Sequence, residues 1–224
     1  MKQYEALRVE QQVDVVTVRL NRPASRNAVN MQMVNDLTDV LKIVEEAKNL
    51  SVLVIRGSED VFCSGIDLGD FSLENEAEVY GLQKWEKMCR QLERLNKFTV
   101  AAVEGECTGG GVQLVLICDA RIAVGTAQFR LDEVKRGFLP GMATFRLPKV
   151  TGLGRAKEIV LTGRTFGAEE AKQWGLLNGL SDEASFEQLL KDTIQGWLSK
   201  KSIDRWISSP NACESYGSSY ENFL

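Results

Sequence analysis

The stretch from 99 to 119 constrains this chain more than any other. A β-branched apolar run leads through a turn to three adjacent glycines, Gly109, Gly110 and Gly111, and then to an apolar segment. Val100, Ala101, Ala102 and Val103 read as a buried strand. Residues 112–118 are almost wholly apolar, so they read as a helix with no solvent face. Three glycines in a row cost backbone entropy, which implies that something approaches the backbone closely there. A glycine turn feeding a buried helix aims free N–H groups and the positive end of a helix dipole at one point. Such a point suits an anion, or negative charge that develops during a reaction. A phosphate loop is a poorer match, because no Gly-Lys-Ser/Thr ending follows and the glycines do not fit G-x-G-x-x-G.

Composition narrows the chemistry. The 224 residues contain no histidine, which removes Ser-His-Asp and Cys-His nucleophilic catalysis and the commonest zinc sites. Acid–base work therefore falls to Asp, Glu, Lys, Tyr or Cys. A net charge of −4 argues against nucleic acid as a partner. No apolar run is long enough to span a bilayer, and the N-terminus does not read as a signal peptide. Cys63, Cys89, Cys107, Cys118 and Cys213 are odd in number and show no C-x-x-C spacing. They read as reduced, mostly buried thiols of a cytoplasmic protein.

Along the chain, 3–9 and 13–20 read as a hairpin closed by the turn residues of 21–27. Val34, Leu37, Leu41 and Val44 recur at helical spacing within 31–48. Residues 51–56 predict a strand buried on both faces, 57–71 a loop, and 74–96 a charged amphipathic helix. After the glycine stretch come strands at 120–124 and 128–131 and a loop at 135–142. Helices follow at 144–151, 154–162, 168–174 and 184–199. Strand–helix alternation with long crossovers means an α/β class. No repeat or linker divides the chain, so residues 1–207 read as one domain and 208–224 as a flexible tail. In that tail Tyr216, Tyr220 and Phe223 could dock on another surface.

Gly65-Ile66 and Gly109-Gly110 each follow a strand. Loops leaving the same end of parallel strands can converge, and two converging N–H groups would hold an oxyanion.

Several motifs carry a family resemblance. They are Asn21-Arg22-Pro23 with Asn27-Ala28, Phe62-Cys63-Ser64-Gly65-Ile66-Asp67, the stretch 105–119, and the segment from Ala127 to Glu133. Gly137-Phe138-Leu139-Pro140-Gly141, Leu161-Thr162-Gly163 and Glu170-Ala171 with Trp174-Gly175 complete the set. In this order and spacing, over residues 3–180, the chain resembles the enoyl-CoA hydratase/isomerase (crotonase) superfamily. The resemblance implies a crotonase-like spiral of ββα units and an acyl thioester substrate. It implies that the N–H groups of Ile66 and Gly110 hold the thioester oxygen as an enolate forms. Preformed donors of this kind contribute about 3 kcal/mol each. Ala28, Ser64 and Leu68 match positions that line the CoA groove.

Family hydratases set two glutamates across the substrate. Glu133 matches the second, while Gln113 stands where the first would be. Gln113 can hold a water or hydroxyl but cannot take its proton, so water addition by a carboxylate pair is in doubt. One carboxylate suffices to move a proton between C2 and C4, or to act as base and then acid in eliminating a 3-hydroxyl.

Asp132 is the alternative carboxylate. Asp67 and Asp119 read as loop-holding residues, with Arg121 as a partner of Asp119 or a surface cation, and Glu104 and Glu106 as surface or structural residues. Trp85 and Trp174 read as packing residues. Residues 61–65, Leu82 with Trp85, 137–140, Glu170-Ala171 with Trp174-Gly175-Leu176, and 200–203 further resemble the dehydratases of polyketide β-branching cassettes. Those enzymes also lack the first glutamate and act on a 3-hydroxy-3-methylglutaryl group on an acyl carrier protein.

The leading expectation is a dehydratase of a 3-hydroxyacyl thioester carried on CoA or on a carrier protein's phosphopantetheine, with no other cofactor and no metal. An enoyl-CoA isomerase using the same Glu133, or an inactive acyl-thioester-binding subunit, are the alternatives. The resemblance implies a homotrimer or hexamer, although the C-terminal helical part is short. Arg26, Arg56, Lys200 and Lys201 are candidate cations at a tunnel mouth, each also readable as an ordinary solvated charge.

Overall fold

The computed structural model describes residues 2–58, 60–70 and 76–199. The expected tail, the Lys200-Lys201 pair, Cys213 and the first residues of the 74–96 helix lie outside these.

The chain opens with an antiparallel hairpin of β1 (Leu7–Gln12) and β2 (Val15–Leu20). β2 alternates half-buried with buried residues, as an outer strand with one wet face should. α1 (Met31–Glu46) follows and starts where the Asn30 side chain accepts the Met33 N–H.

Three strand–strand–helix units then succeed one another. β3 (Val52–Arg56) and β4 (Val61–Cys63) lead to α2 (Glu76–Glu93). β5 (Phe98–Val103) and β6 (Glu106–Thr108) lead to α3 (Gly110–Leu116). β7 (Ala120–Val124) and β8 (Gln128–Arg130) lead to a 3-10 turn at Glu133–Arg136, then α4 (Ala143–Thr151) and α5 (Leu153–Thr162). β9 (Thr165–Gly167), α6 (Ala168–Gln173), β10 (Gly179–Ser181) and α7 (Phe186–Leu198) complete the described chain.

Each unit places its first strand in one sheet and its second in another. The large sheet runs β1-β2-β3-β5-β7-β10 and the small one β4-β6-β8-β9. This is the spiral of ββα units that the resemblance implies. β3 and β5 are buried along their whole length, because parallel strands covered on both faces have no wet side.

The chain turns from the large sheet to the small one at tight corners. Gly105, at φ +68°, makes the one between β5 and β6, where a Cβ would fall 1.6 Å from the Asp60 carbonyl oxygen. That contact admits only glycine.

The structure corrects the sequence reading in four places. The 57–71 stretch is not all loop, since it contains β4. A strand, β6, occupies part of what reads as a turn before the glycines. The 135–142 loop begins inside the 3-10 turn. β9 and β10 were not expected at all. All four strands are three residues long, too short for a periodicity to show.

Candidate active site

β4 and β6 are parallel neighbours, paired at Val61–Glu106 and Cys63–Cys107. The turns at Gly65-Ile66 and Gly109-Gly110 leave their same ends and therefore meet. A Cβ on Gly65 would lie 3.8 Å from the nitrogen of Gly110, and one on Gly110 would lie 3.2 Å from Cδ1 of Ile66. Two further bonds fasten the first turn: the Val29 N–H donates to the Gly65 carbonyl and the Asp67 N–H to the Val29 carbonyl, each at 2.8 Å. The N–H of Ile66, lying between them, has no acceptor among the described residues. The N–H of Gly110, in the first turn of α3, has none either. Two free backbone donors thus lie beside each other.

They open into a cavity of about 290 Å³ lined by Ile66, Leu68, Trp85, Gln113, Glu133 and Phe138, among others. Most of its wall is apolar, with a few convergent polar groups, the usual character of a small-molecule site. Leu68 and Leu139 are exposed.

Glu133 begins the 3-10 turn after β8. Gly109, at φ +51°, lets it in: a Cβ there would stand 2.7 Å from Oε1 of Glu133. The carboxylate thus lies against the glycine turn itself. Its Oε2 is buried and has no hydrogen-bond partner among the described residues. Burial raises the pKa above the usual carboxylate range, with Asp132 adding to the shift. A carboxylate in this state is poised to take and return a proton. Asp132 instead pairs with Arg130 and Arg136 and is absent from the cavity wall.

Gln113 lies on α3 and is buried. Its Nε2 donates to Oε2 of Glu86 at 2.8 Å and to Sγ of Cys89 at 3.4 Å. Glu86, on α2, also lines the cavity and is held by Arg146 from α4. The sequence reading missed both residues. Glu86 sits in a helix rich in charge, where a wall residue and a solvated one look alike, and Arg146 reads as an ordinary helix cation.

The remaining expectations divide. Ile66, Gly110, Leu68, Gln113 and Glu133 share one cavity. Ala28 and Ser64 lie close by, their turns joined by the Ser64 N–H donating to the Arg26 carbonyl, but they do not line it. Asp67 holds Arg22 at 3.1 Å and accepts from the Gly69 N–H, and Asp119 accepts from the Thr99 N–H and hydroxyl. Arg121 partners Asp119 through the backbone, its guanidinium donating to the carbonyls of Asp119, Cys118 and Leu176 and acting on the Asp119 carboxyl through its charge, so it is not a solvated surface cation. Arg56 is buried and bound by Glu104 and Glu187, so it is no mouth cation, while Arg26 pairs with Glu106. Burial pushes the thiols of Cys63 and Cys118 up to about 12 and those of Cys89 and Cys107 well above their usual range. These cysteines are packing groups, not acids or nucleophiles.

A model of the family described as enoyl-CoA hydratase/isomerase matches residues 10–207. The chain is 35% identical over 179 residues to the probable enoyl-CoA hydratase echA8 of Mycobacterium bovis, covering 78% of this chain and 68% of that one. It is 34% identical over 187 residues to the enoyl-CoA isomerase/hydratase fer4 of Mycosarcoma maydis, covering 79% and 68%. The crystal structure of enoyl-CoA hydratase from Bacillus anthracis superposes with a TM-score of 0.82 at 29% identity, over 98% of this chain and 91% of that one.

Proposed function

The chain belongs to the enoyl-CoA hydratase/isomerase family, and from that premise we propose that it dehydrates a 3-hydroxyacyl thioester through an enolate. One observation carries the reading: a carboxylate whose buried Oε2 has no partner among the described residues, beside two N–H groups that are free among them, with an amide where a second carboxylate would stand. The Glu133 carboxylate takes a proton from C2. The electron pair moves onto the thioester oxygen, which the N–H groups of Ile66 and Gly110 stabilise as an oxyanion hole. Collapse of the enolate restores the carbonyl, forms the C2–C3 double bond and breaks the C3–O bond. The hydroxyl takes the proton from Glu133 and leaves as water. The balance closes on a 2-enoyl thioester and one water, with no redox partner, metal or cofactor besides the thioester's own carrier.

The carrier is CoA or the phosphopantetheine of an acyl carrier protein, reached through the mouth at Leu68 and beside Ala28 and Ser64. The first substrate to try is 3-hydroxy-3-methylglutaryl on a carrier protein, as in polyketide β-branching. The replacement of one glutamate by Gln113 supports that choice. We infer a homotrimer or hexamer and a reducing compartment such as the cytoplasm, the latter from four buried free thiols. The same single carboxylate also suits a C2–C4 proton shuttle, and one relative is named isomerase/hydratase, so isomerisation is the second reading.

The test is mass spectrometry of the loaded carrier protein after incubation, and of a 3-enoyl-CoA incubated in heavy water. Loss of one water from the first, abolished in Glu133→Ala, is expected. Deuterium uptake with a moved double bond in the second, and no water loss in the first, would make the protein an isomerase. Binding without either reaction would make it an inactive thioester-binding subunit.

A further inference from the structure

The mechanism above leaves one cluster unused. Gln113, Glu86, Arg146, Glu93 and Cys89 form a polar group in the cavity wall and behind it. Arg146 is buried and reaches two carboxylates: its Nη2 lies 2.6 Å from Oε1 of Glu86 and 3.0 Å from Oε2 of Glu93, and its Nη1 3.4 Å from Oε2 of Glu86. Both carboxylate oxygens of Glu86 accept from the Arg146 guanidinium, so Glu86 presents acceptors to its neighbours. The same Oε2 accepts from Nε2 of Gln113 at 2.8 Å.

This settles which way the Gln113 amide points. An amide left to itself can turn over and offer either its NH₂ or its oxygen. Here a turned amide would set its oxygen against the Glu86 carboxylate, two acceptors with no proton between them. The NH₂ is therefore held on Glu86 and Cys89 Sγ, and Oε1 is what remains. Oε1 accepts no bond from the described residues and is not sealed from solvent, while Gln113 lines the cavity.

We propose that Glu86, anchored by Arg146, is a positioning residue that locks Gln113 as a hydrogen-bond acceptor, so that the site selects thioesters bearing a hydroxyl donor at C3. A hydroxyl has one proton to donate and two lone pairs. With its proton engaged by Oε1, its lone pairs are left for the proton that Glu133 returns. A 3-deoxy acyl chain leaves the acceptor empty, and a 3-oxo chain sets oxygen against oxygen. Sites built to bond a substrate hydroxyl reject analogues that lack it far more strongly than apolar pockets do.

The inference rests on the thioester reading, and the experiment separates the two. Binding is measured by calorimetry in the Glu133→Gln background, where turnover is slowed about 10²- to 10⁴-fold, with each enantiomer of 3-hydroxybutyryl-CoA and with butyryl-CoA. We expect at least one hydroxy enantiomer to bind ten-fold or more tightly than butyryl-CoA. Adding Glu86→Gln, which can face either end of the Gln113 amide, should reduce that ratio to about three-fold or less. Adding Gln113→Met should do the same. Glu86→Asp keeps a charge for Arg146 but withdraws the carboxylate from Gln113, so it carries the test if the neutral variant does not fold. A hydroxyl preference that survives in the Glu86 variants, or that is absent from the start, overturns the lock while butyryl-CoA binding still supports a thioester site. Failure of all three thioesters to bind overturns the thioester reading and the lock with it.

Discussion

Glu133 is at once the base of the proposed dehydration and a cost to the fold. Its carboxyl is buried, and burial raises its pKa. A carboxyl with a raised folded pKa binds its proton more tightly folded than unfolded, so stability is greatest on the acid side. It falls as pH rises from the ordinary carboxylate value through the raised one. Glu133→Gln removes that fall. Calorimetry should find parent and variant melting alike near about pH 4 and the variant melting higher near about pH 7. The same variant should lose about 10²- to 10⁴-fold in turnover, the range for removing a general acid–base group. In the dehydration direction Glu133 must start ionised, so kcat/KM should climb with pH and level off above the raised pKa. A flat profile across that window would remove Glu133 from the base role.

Gly109→Ala meets two penalties. An L side chain at φ +51° costs about 1–2 kcal/mol, and its Cβ would strike Glu133. Activity should fall further than stability, which a melting curve and a turnover assay on one preparation would separate. At this scale much of the site was legible. Glu133, Ile66 and Gly110 stood out because each sits in a segment with a chemical rationale. Glu86 did not, because its meaning comes only from Arg146, sixty positions away and on another helix.

At the scale of elements, long periodic segments were readable and three-residue strands were not. α1 keeps its apolar spacing for sixteen residues, whereas β4 and β6 are defined only by each other. Those strands nevertheless do most to build the site, since their parallel pairing brings the two N–H turns together. Pairing between residues more than forty positions apart leaves no local trace. The first hairpin makes a separate point. Its two-residue loop starts at Val13, which is 89% exposed and held at φ 52°. Glycine is the residue that such a position favours, and a β-branched side chain is an outlier there. Val13→Gly removes a left-handed penalty of about 1–2 kcal/mol and adds a chain-entropy cost of about 0.5–1 kcal/mol. The expected net gain, about 0–1.5 kcal/mol, raises Tm by at most about 3–6 °C for a chain of this size. A lower Tm would mean that Val13 makes a contact worth more than its strain.

For the whole molecule the question is what ties successive turns of the spiral together. Arg56 ends β3 in one unit, is bound by Glu104 just after β5 in the next, and reaches Glu187 on α7 while lying over the Phe186 ring. Its side chain is 5% exposed, against 34% for Glu104 and 61% for Glu187. The asymmetry matters for its removal. In Arg56→Met both carboxylates can recover water, so the loss should be smaller than the 3–5 kcal/mol expected when one partner of a fully buried pair is left behind. About 1–3 kcal/mol is reasonable for charged hydrogen bonds of this kind, or a drop of several degrees in Tm at about 2–4 °C per kcal/mol. Because Arg56 is absent from the cavity wall, KM for the thioester should not move. The sequence alone left Arg56 readable as a cation at a tunnel mouth, and that role makes the opposite forecast: KM would rise with the melting point unchanged. One variant, measured both ways, distinguishes a clasp between turns of the fold from a guide for the ligand. Burial and two carboxylate partners from different units argue for the clasp.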